Sequence, residues 1–237
     1  MPAPLKILPM GDRALVIEVA PAATAAATDR ARALAERIAR AQLPGVREAV
    51  PAFCSLSVHY DPLAVRGAGL PFEAVRAQLV ALLASADEPA AQPGRLIEIP
   101  VCYGGDFGED LAAVALAHAM PPSRLIALHT APTYFVGMLG FAPGFPYLAG
   151  LDERLITPRR ATPRPRVPAG SVAIGGEHTG IYPLESPGGW HLIGRTPLTL
   201  FRVERDPPSL LQAGDRVRLV AIAPEAFETS QRAEAGA

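Results

Sequence analysis

Hydrophobic and polar positions alternate between strand-like and helix-like spacing over about the first ninety residues. The run Ala14–Val19 is short and β-rich and follows the turn-like pair Gly11-Asp12, which predicts a first strand. From Thr24 to Ala41 the apolar positions Ala27, Ala31, Leu34, Ile38 and Ala41 are spaced by four, three, four and three, which places them on one face of a helix. Leu43-Pro44-Gly45 stops that helix. Val46–Val50 and Ser55–Tyr60 then read as a hairpin whose second strand alternates Leu56, Val58 and Tyr60. Pro71 opens a second helix with Phe72, Val75, Leu79 and Leu82 facing inward. The order β-α-β-β-α matches most of a ferredoxin-like unit.

Ser85–Gly94 lacks hydrophobic periodicity and holds two prolines, the composition of a linker. It divides an expected α/β domain over 1–88 from a second domain over 95–225. The second domain begins with alternating Ile97, Ile99 and Val101, followed by helices over Asp110–Met120 and Ser123–His129. Beyond Pro132 the helical period disappears. Tyr134–Leu139, Ser171–Ile174, Trp190–Ile193, Leu198–Val203 and Arg216–Ile222 are short segments punctuated by Gly and Pro, the pattern of a β-barrel. The polar, alanine-rich tail after Pro224 is expected to fray. The fold class is therefore α+β, with no internal repeat.

Charge and composition then exclude several classes. With 22 Lys+Arg against 23 Asp+Glu there is no global field to attract nucleic acid or anionic lipid. No apolar run approaches the roughly 20 residues of a membrane span, and Met1–Met10 lacks the apolar core of a secretory signal. The expected address is the cytoplasm. Cys54 and Cys102 belong to no CxxC pair and are expected to be buried small hydrophobes. There is no GxxxxGK[ST] loop, strand-linked GxGxxG, HExxH or zinc-type spacing, so no metal site is expected and no local motif specifies a nucleotide. His59, His118, His129 and His178 are scattered and read as surface or packing residues.

Three segments concentrate unusual chemistry. In Gly140–Gly150, Phe141, Phe145 and Tyr147 alternate with residues that fix or free the backbone, Pro143 and Pro146 among them. That loop is either a corner plugging the barrel end or the wall of a ligand pocket, and a cis bond before Pro146 is one option. Thr157–Pro168 carries Arg159, Arg160, Arg164 and Arg166 while four prolines keep it extended. It is either a solvated basic loop or a low-entropy fork for a carboxylate or phosphate. Gly180–His191 gathers Tyr182, Glu185, Ser186, Gly188, Gly189, Trp190 and His191. It is either a tight turn with Trp190 packed below it, or a site in which the two glycines present N–H groups to an anion and Glu185 or His191 moves protons.

The segments GFAPGFPYLAGL (Gly140–Leu151), TPRRATPRPRVPAGSVAIGG (Thr157–Gly176) and GIYPLESPGGWHLIGRTP (Gly180–Pro197) together resemble the family called KipI, allophanate hydrolase subunit 1 or the 5-oxoprolinase B subunit. IPVCYGGDFGEDL (Ile99–Leu111) and GDRALVIE (Gly11–Glu18) extend the likeness over nearly the whole chain. The resemblance implies a small α/β domain joined to a cyclophilin-like β-barrel. It also implies work with an allophanate hydrolase subunit 2-type protein (the 5-oxoprolinase C subunit) and a LamB/YcsF-type protein (the A subunit). That assembly hydrolyses 5-oxo-L-proline to L-glutamate with cleavage of ATP, which with Mg is expected to be bound by, or shared with, a partner subunit.

On that basis Arg166, Glu185 and His191 are the expected catalytic residues. Arg159, Arg160, Arg164, Ser186, Gly188 and Gly189 are expected to bind substrate or phosphate. Phe141, Pro143, Phe145, Tyr147, Tyr182 and Trp190 are the expected pocket wall. Replacing Arg166 or the Gly188-Gly189 pair is expected to abolish activity and leave folding intact. The family also implies an alternative, a non-catalytic inhibitor of a sensor histidine kinase. The barrel by itself allows a peptide-binding module, by fold analogy only.

Overall fold

The computed structural model of the protein describes residues 6–65, 69–84 and 94–235. Two compact units, Met1–Gly94 and Arg95–Ala237, make up the chain. Apart from Gly94, the expected linker lies outside the described residues.

In the first unit, β1 (Lys6–Pro9), β2 (Ala14–Glu18), β3 (Val46–Ala52) and β4 (Ser55–Tyr60) form an antiparallel sheet in the order β1-β2-β4-β3, with helices α1 (Ala25–Ala41) and α2 (Pro71–Ala84). The strand that closes a ferredoxin-like sheet normally follows the second helix. Here its place beside β2 is taken by β1 from the N-terminal side, a strand of four residues that hydrophobic patterning does not reveal. Thr24 caps α1 through its side-chain oxygen, which accepts from the Ala27 N–H at 3.1 Å, and Gln42 ends the helix in the left-handed conformation. Leu15, Ile17, Leu34, Ile38, Leu56, Val58, Val75 and Leu79 form the core, as their periods require. Cys54, at the tip of the β3–β4 hairpin, is only half-buried because the turn holds it there, whereas Cys102 is buried.

The second unit is built on a closed seven-stranded barrel. Its strands are β5 (Leu96–Tyr103), β6 (Thr133–Leu139), β7 (Pro146–Ala149), β9 (Ser171–Gly175), β10 (His178–Ile181), β12 (His191–Arg195) and β13 (Arg216–Ala221), in the ring order β10-β7-β6-β13-β5-β12-β9. A separate antiparallel ribbon pairs β8 (Arg164–Val167) with β11 (Ser186–Gly188). Ile99, Val101, Val136, Val172, Ile174, Ile193, Val217 and Leu219 fill the barrel together with residues of α3 (Leu111–Ala117) and α4 (Pro122–Thr130). Among the described residues no single helix is long and apolar enough to cross a membrane.

A polar chain sits inside this apolar core. His129 is fully buried, and its ring nitrogens lie 2.8 Å from the Tyr103 hydroxyl and 2.9 Å from the Thr179 hydroxyl. The Thr179 hydroxyl donates to the Ala173 carbonyl, so it accepts from His129 Nε2–H, and Nδ1 accepts from Tyr103. Burial pulls the imidazole pKa down to about 3. A neutral ring is thus fully satisfied, and a second proton would displace the Tyr103 donor.

Two expectations fail in this unit. The tail after Pro224 is a helix, α5 (Pro224–Ala235), anchored by buried Phe227, whose ring lies 4.6 Å from that of Phe107. Leu198–Val203 is irregular apart from one bridge, Phe201 to Ser209, because its segment is bounded by Pro197 and a turn rather than by a neighbouring strand. The bond before Pro146 is trans; the cis peptide among the described residues is Asp206–Pro207.

Candidate functional site

Strands β9 and β12 are buried on both faces. Val172, Ile174 and Ile193 point into the barrel, while Ala173 and Leu192 point outward into a second cluster with Phe145, Val167, Tyr182 and Trp190. This aromatic cluster lies on the outside of the barrel wall, beside the ribbon of β8 and β11. Its rings meet edge to face: Phe145 is 5.2 Å from Tyr182, 5.5 Å from Trp190 and 5.0 Å from Tyr147 between centroids.

Glycines make room for the rings. A β-carbon on Gly175 would come within 2.5 Å of the Trp190 indole, and one on Gly188 would overlap the phenol of Tyr182. Phe141, exposed and in the left-handed region at φ 71°, forms the lip of the cluster, 5.4 Å from Phe145.

Between these rings and the arginine-rich segment lies a pocket of about 180 Å³. Phe141, Phe145, Tyr147, Tyr182 and Trp190 form its apolar wall, and Arg159, Arg160, Gly188 and Gly189 face them. Arg159 stacks over the Trp190 ring at 5.8 Å, and among the described residues no carboxylate lies within ion-pair distance of it. Burial holds the Tyr182 hydroxyl above its ordinary pKa despite the Trp190 backbone hydrogen bond and the nearby charges of Arg159 and Arg164. It is a neutral hydrogen-bonding group at pH 7.

The arginines are placed by a residue that sequence reading passes over. Asp110 has the position of an N-cap for α3, yet its side chain makes no capping hydrogen bond. Instead its carboxylate accepts from Arg160 Nη1 at 3.2 Å, from Arg164 Nη2 at 2.8 Å and from the Leu192 N–H at 2.8 Å. Burial alone would raise its pKa; the Arg164 hydrogen bond, the Leu192 N–H and the two positive charges outweigh that and lower it. Glu109 adds a second contact to Arg164 at 3.0 Å. Arg160 Nε, Arg164 Nη1 and Ser186 Oγ are buried without a hydrogen-bond partner among the described residues.

The structure distributes the sequence-derived candidates unequally. Pro143 is exposed and outside the pocket lining, and Arg164 supports the pocket from behind through Asp110. Arg166 and Glu185 face each other at 4.0 Å on the ribbon with side chains 83% and 63% exposed, outside the lining. His191 is engaged with the Pro158 carbonyl at 2.9 Å and also stands outside it. Gly188 is a strand residue opposite Arg164, and the Gly189 carbonyl accepts from the Arg160 N–H at 2.8 Å. The steric closeness of Gly188 to Tyr182 means that a substitution there would disturb the fold, contrary to the expectation from sequence.

A basic and aromatic pocket on the outer wall of a seven-stranded barrel, in a chain that also carries a small antiparallel α/β unit, defines the class. The family model described as carboxyltransferase domain, subdomain C and D, matches residues 5–211, and the chain belongs to that family. A Bacillus subtilis (strain 168) protein named as the B subunit of 5-oxoprolinase is 45% identical over 218 residues, covering 90% of this chain and 91% of the relative. An Escherichia coli O157:H7 protein of the same name is 46% identical over 212 residues, covering 89% and 93%. The crystal structure of TTHA0988 in space group P212121 matches with a TM-score of 0.76 at 41% identity. That match covers 89% of this chain and 40% of the other, so this chain spans well under half the length of that protein.

Proposed function

We propose that this chain is the B subunit of an ATP-dependent 5-oxoprolinase, and that its pocket holds the lactam 5-oxo-L-proline for hydrolysis to L-glutamate. The observation that carries this reading is Arg159, a cation without an acidic partner among the described residues, laid over Trp190 at the mouth of an aromatic pocket. Such a site matches a small ring bearing one carboxylate: the guanidinium takes the carboxylate, and the rings flank the apolar part of the lactam. The names and the extent of the two bacterial relatives support the same reading. The arginines and the neutral Tyr182 hydroxyl also suit an oxygen that gains negative charge as the amide is attacked.

ATP with Mg does not fit this pocket. At about 180 Å³ it is smaller than the ~300–1,000 Å³ common for drug-sized ligands, and its lining contains no carboxylate to ligate a divalent cation. This reading gives the nucleotide to partner subunits of the allophanate hydrolase subunit 2 and LamB/YcsF types. Arg166, Glu185 and His191, which stand outside the pocket, take part in chemistry only where such a partner meets this face. TTHA0988, in which this chain's match is one part of a longer polypeptide, is consistent with a partner that is joined in one protein and separate in another. A cytoplasmic location goes with this assignment.

The kinase-inhibitor reading is not favoured, since neither bacterial relative bears such a name. The test is ATP-dependent release of glutamate from 5-oxoproline by the full chain, alone and mixed with the two partner subunits. Activity only in the mixture supports the assignment. Its absence from every mixture overturns it.

A further inference from the structure

A second cavity, of about 250 Å³ and larger than the aromatic pocket, lies where α5 packs against the segment that follows β12. On α5, Phe227, Gln231 and Glu234 are spaced by four and three and so share one helix face. Phe227 anchors that face in the core. The two residues above it are polar, and they line the cavity. Glu234 Oε2 accepts from Arg202 at 3.1 Å and from the Thr199 N–H at 3.4 Å, and Arg202 also donates to the Glu234 backbone carbonyl at 2.7 Å. Arg202 is thereby neutralised.

Arg195 is not. It lines the same cavity, its Nε is buried without a hydrogen-bond partner, and no carboxylate lies within ion-pair distance among the described residues. The planar fork of Arg195 matches a carboxylate. With Arg202 already paired, the cavity carries one uncompensated positive charge, and the Glu234 carboxylate at its edge disfavours a dianion.

From this we infer that the cavity beneath α5 is a second ligand site, distinct from the aromatic pocket, that binds a small monocarboxylate through Arg195. The inference does not depend on the oxoprolinase assignment. It is tested on the full-length chain by following the arginine Nε–H resonances in nitrogen-resolved NMR, with the Arg195 signal assigned from Arg195→Lys. The probes are acetate, propionate and inorganic phosphate, in wild type, Arg195→Met and Arg159→Ala.

The expected result is a saturable shift of the Arg195 resonance with acetate or propionate at millimolar concentrations or below. Phosphate should bind about tenfold more weakly, a difference of ~1.4 kcal/mol. Arg159→Ala should preserve the effect. In Arg195→Met, binding read from the Arg202 resonance at the same cavity should be lost while the unfolding midpoint is retained. No saturable shift, equal response to phosphate, or carboxylate binding that survives Arg195→Met would each overturn the proposal.

Discussion

The Asp110 carboxylate and the Arg164 guanidinium meet at 2.8 Å across 54 positions of chain, both largely removed from solvent. The contact ties the start of α3 to the ribbon behind the aromatic pocket, and through Arg160 it fixes one of the pocket's two lining arginines. Breaking a buried pair by removing one partner leaves an uncompensated charge, which typically costs about 3–5 kcal/mol. Asp110→Ala should therefore lower the unfolding free energy by roughly that amount, measured by denaturant titration. Asp110→Asn, which keeps an acceptor for the Leu192 N–H, should lose less.

The same carboxylate confers an acid limb on stability. Its pKa is lowered in the folded state, so its contribution is fully present above the ordinary carboxyl value of 3.8 and is lost as pH falls through the lower folded value. Asp110→Asn should flatten the part of the stability profile below pH 3.8, whereas the wild-type profile should fall there.

His129 acts at milder pH. With a folded pKa of about 3 against 6.5 for a free imidazole, the unfolded chain binds more protons between those values. Its contribution is complete above 6.5 and declines as pH falls, with a limiting slope of about 1.4 kcal/mol per pH unit. Unfolding midpoints measured from pH 7 to 4 should show this decline. A variant with a non-titrating isostere, His129→Asn or His129→Gln, should be less stable at pH 7 and show a shallower slope.

The adjacent glycines 188 and 189 should behave differently. Gly188→Ala drives a methyl group into the Tyr182 ring and should destabilise by about 1–3 kcal/mol. At Gly189 the nearest atom to an added β-carbon is 3.7 Å away, so Gly189→Ala should leave the unfolding midpoint unchanged. Equal effects at the two positions would contradict this packing.

Much of the fold is legible in the sequence because periodicity survives wherever one face alone is buried. The positions Leu34, Ile38, Leu56, Val58, Val75 and Leu79 all fall in the core that their spacing predicts. Strand β1 is too short for a period to register, and α5 has one large apolar residue, Phe227, to mark its buried face. The site is legible as clusters of residue type: the aromatic wall, Arg159 and Arg160 come from stretches that are odd by composition. Asp110 is not, because an aspartate before a helix reads as a cap until the structure shows its carboxylate turned toward arginines about fifty residues away. Nor does composition separate Arg159, held against an indole, from Arg166, which stands 83% exposed in solvent.

If Arg159 and the aromatic wall form the lactam site, the affinity for substrate must depend on that guanidinium. The decisive measurement is the KM for 5-oxo-L-proline of the complex reconstituted from this chain and the two proposed partner subunits, compared between wild type and Arg159→Ala. Loss of a charge-assisted carboxylate contact is worth roughly 1.5–3 kcal/mol, a rise in KM of about tenfold or more, with an unchanged unfolding midpoint. Arg166→Ala on the exposed ribbon should raise KM far less. A complex in which Arg159→Ala leaves the KM at the wild-type value would place the lactam elsewhere.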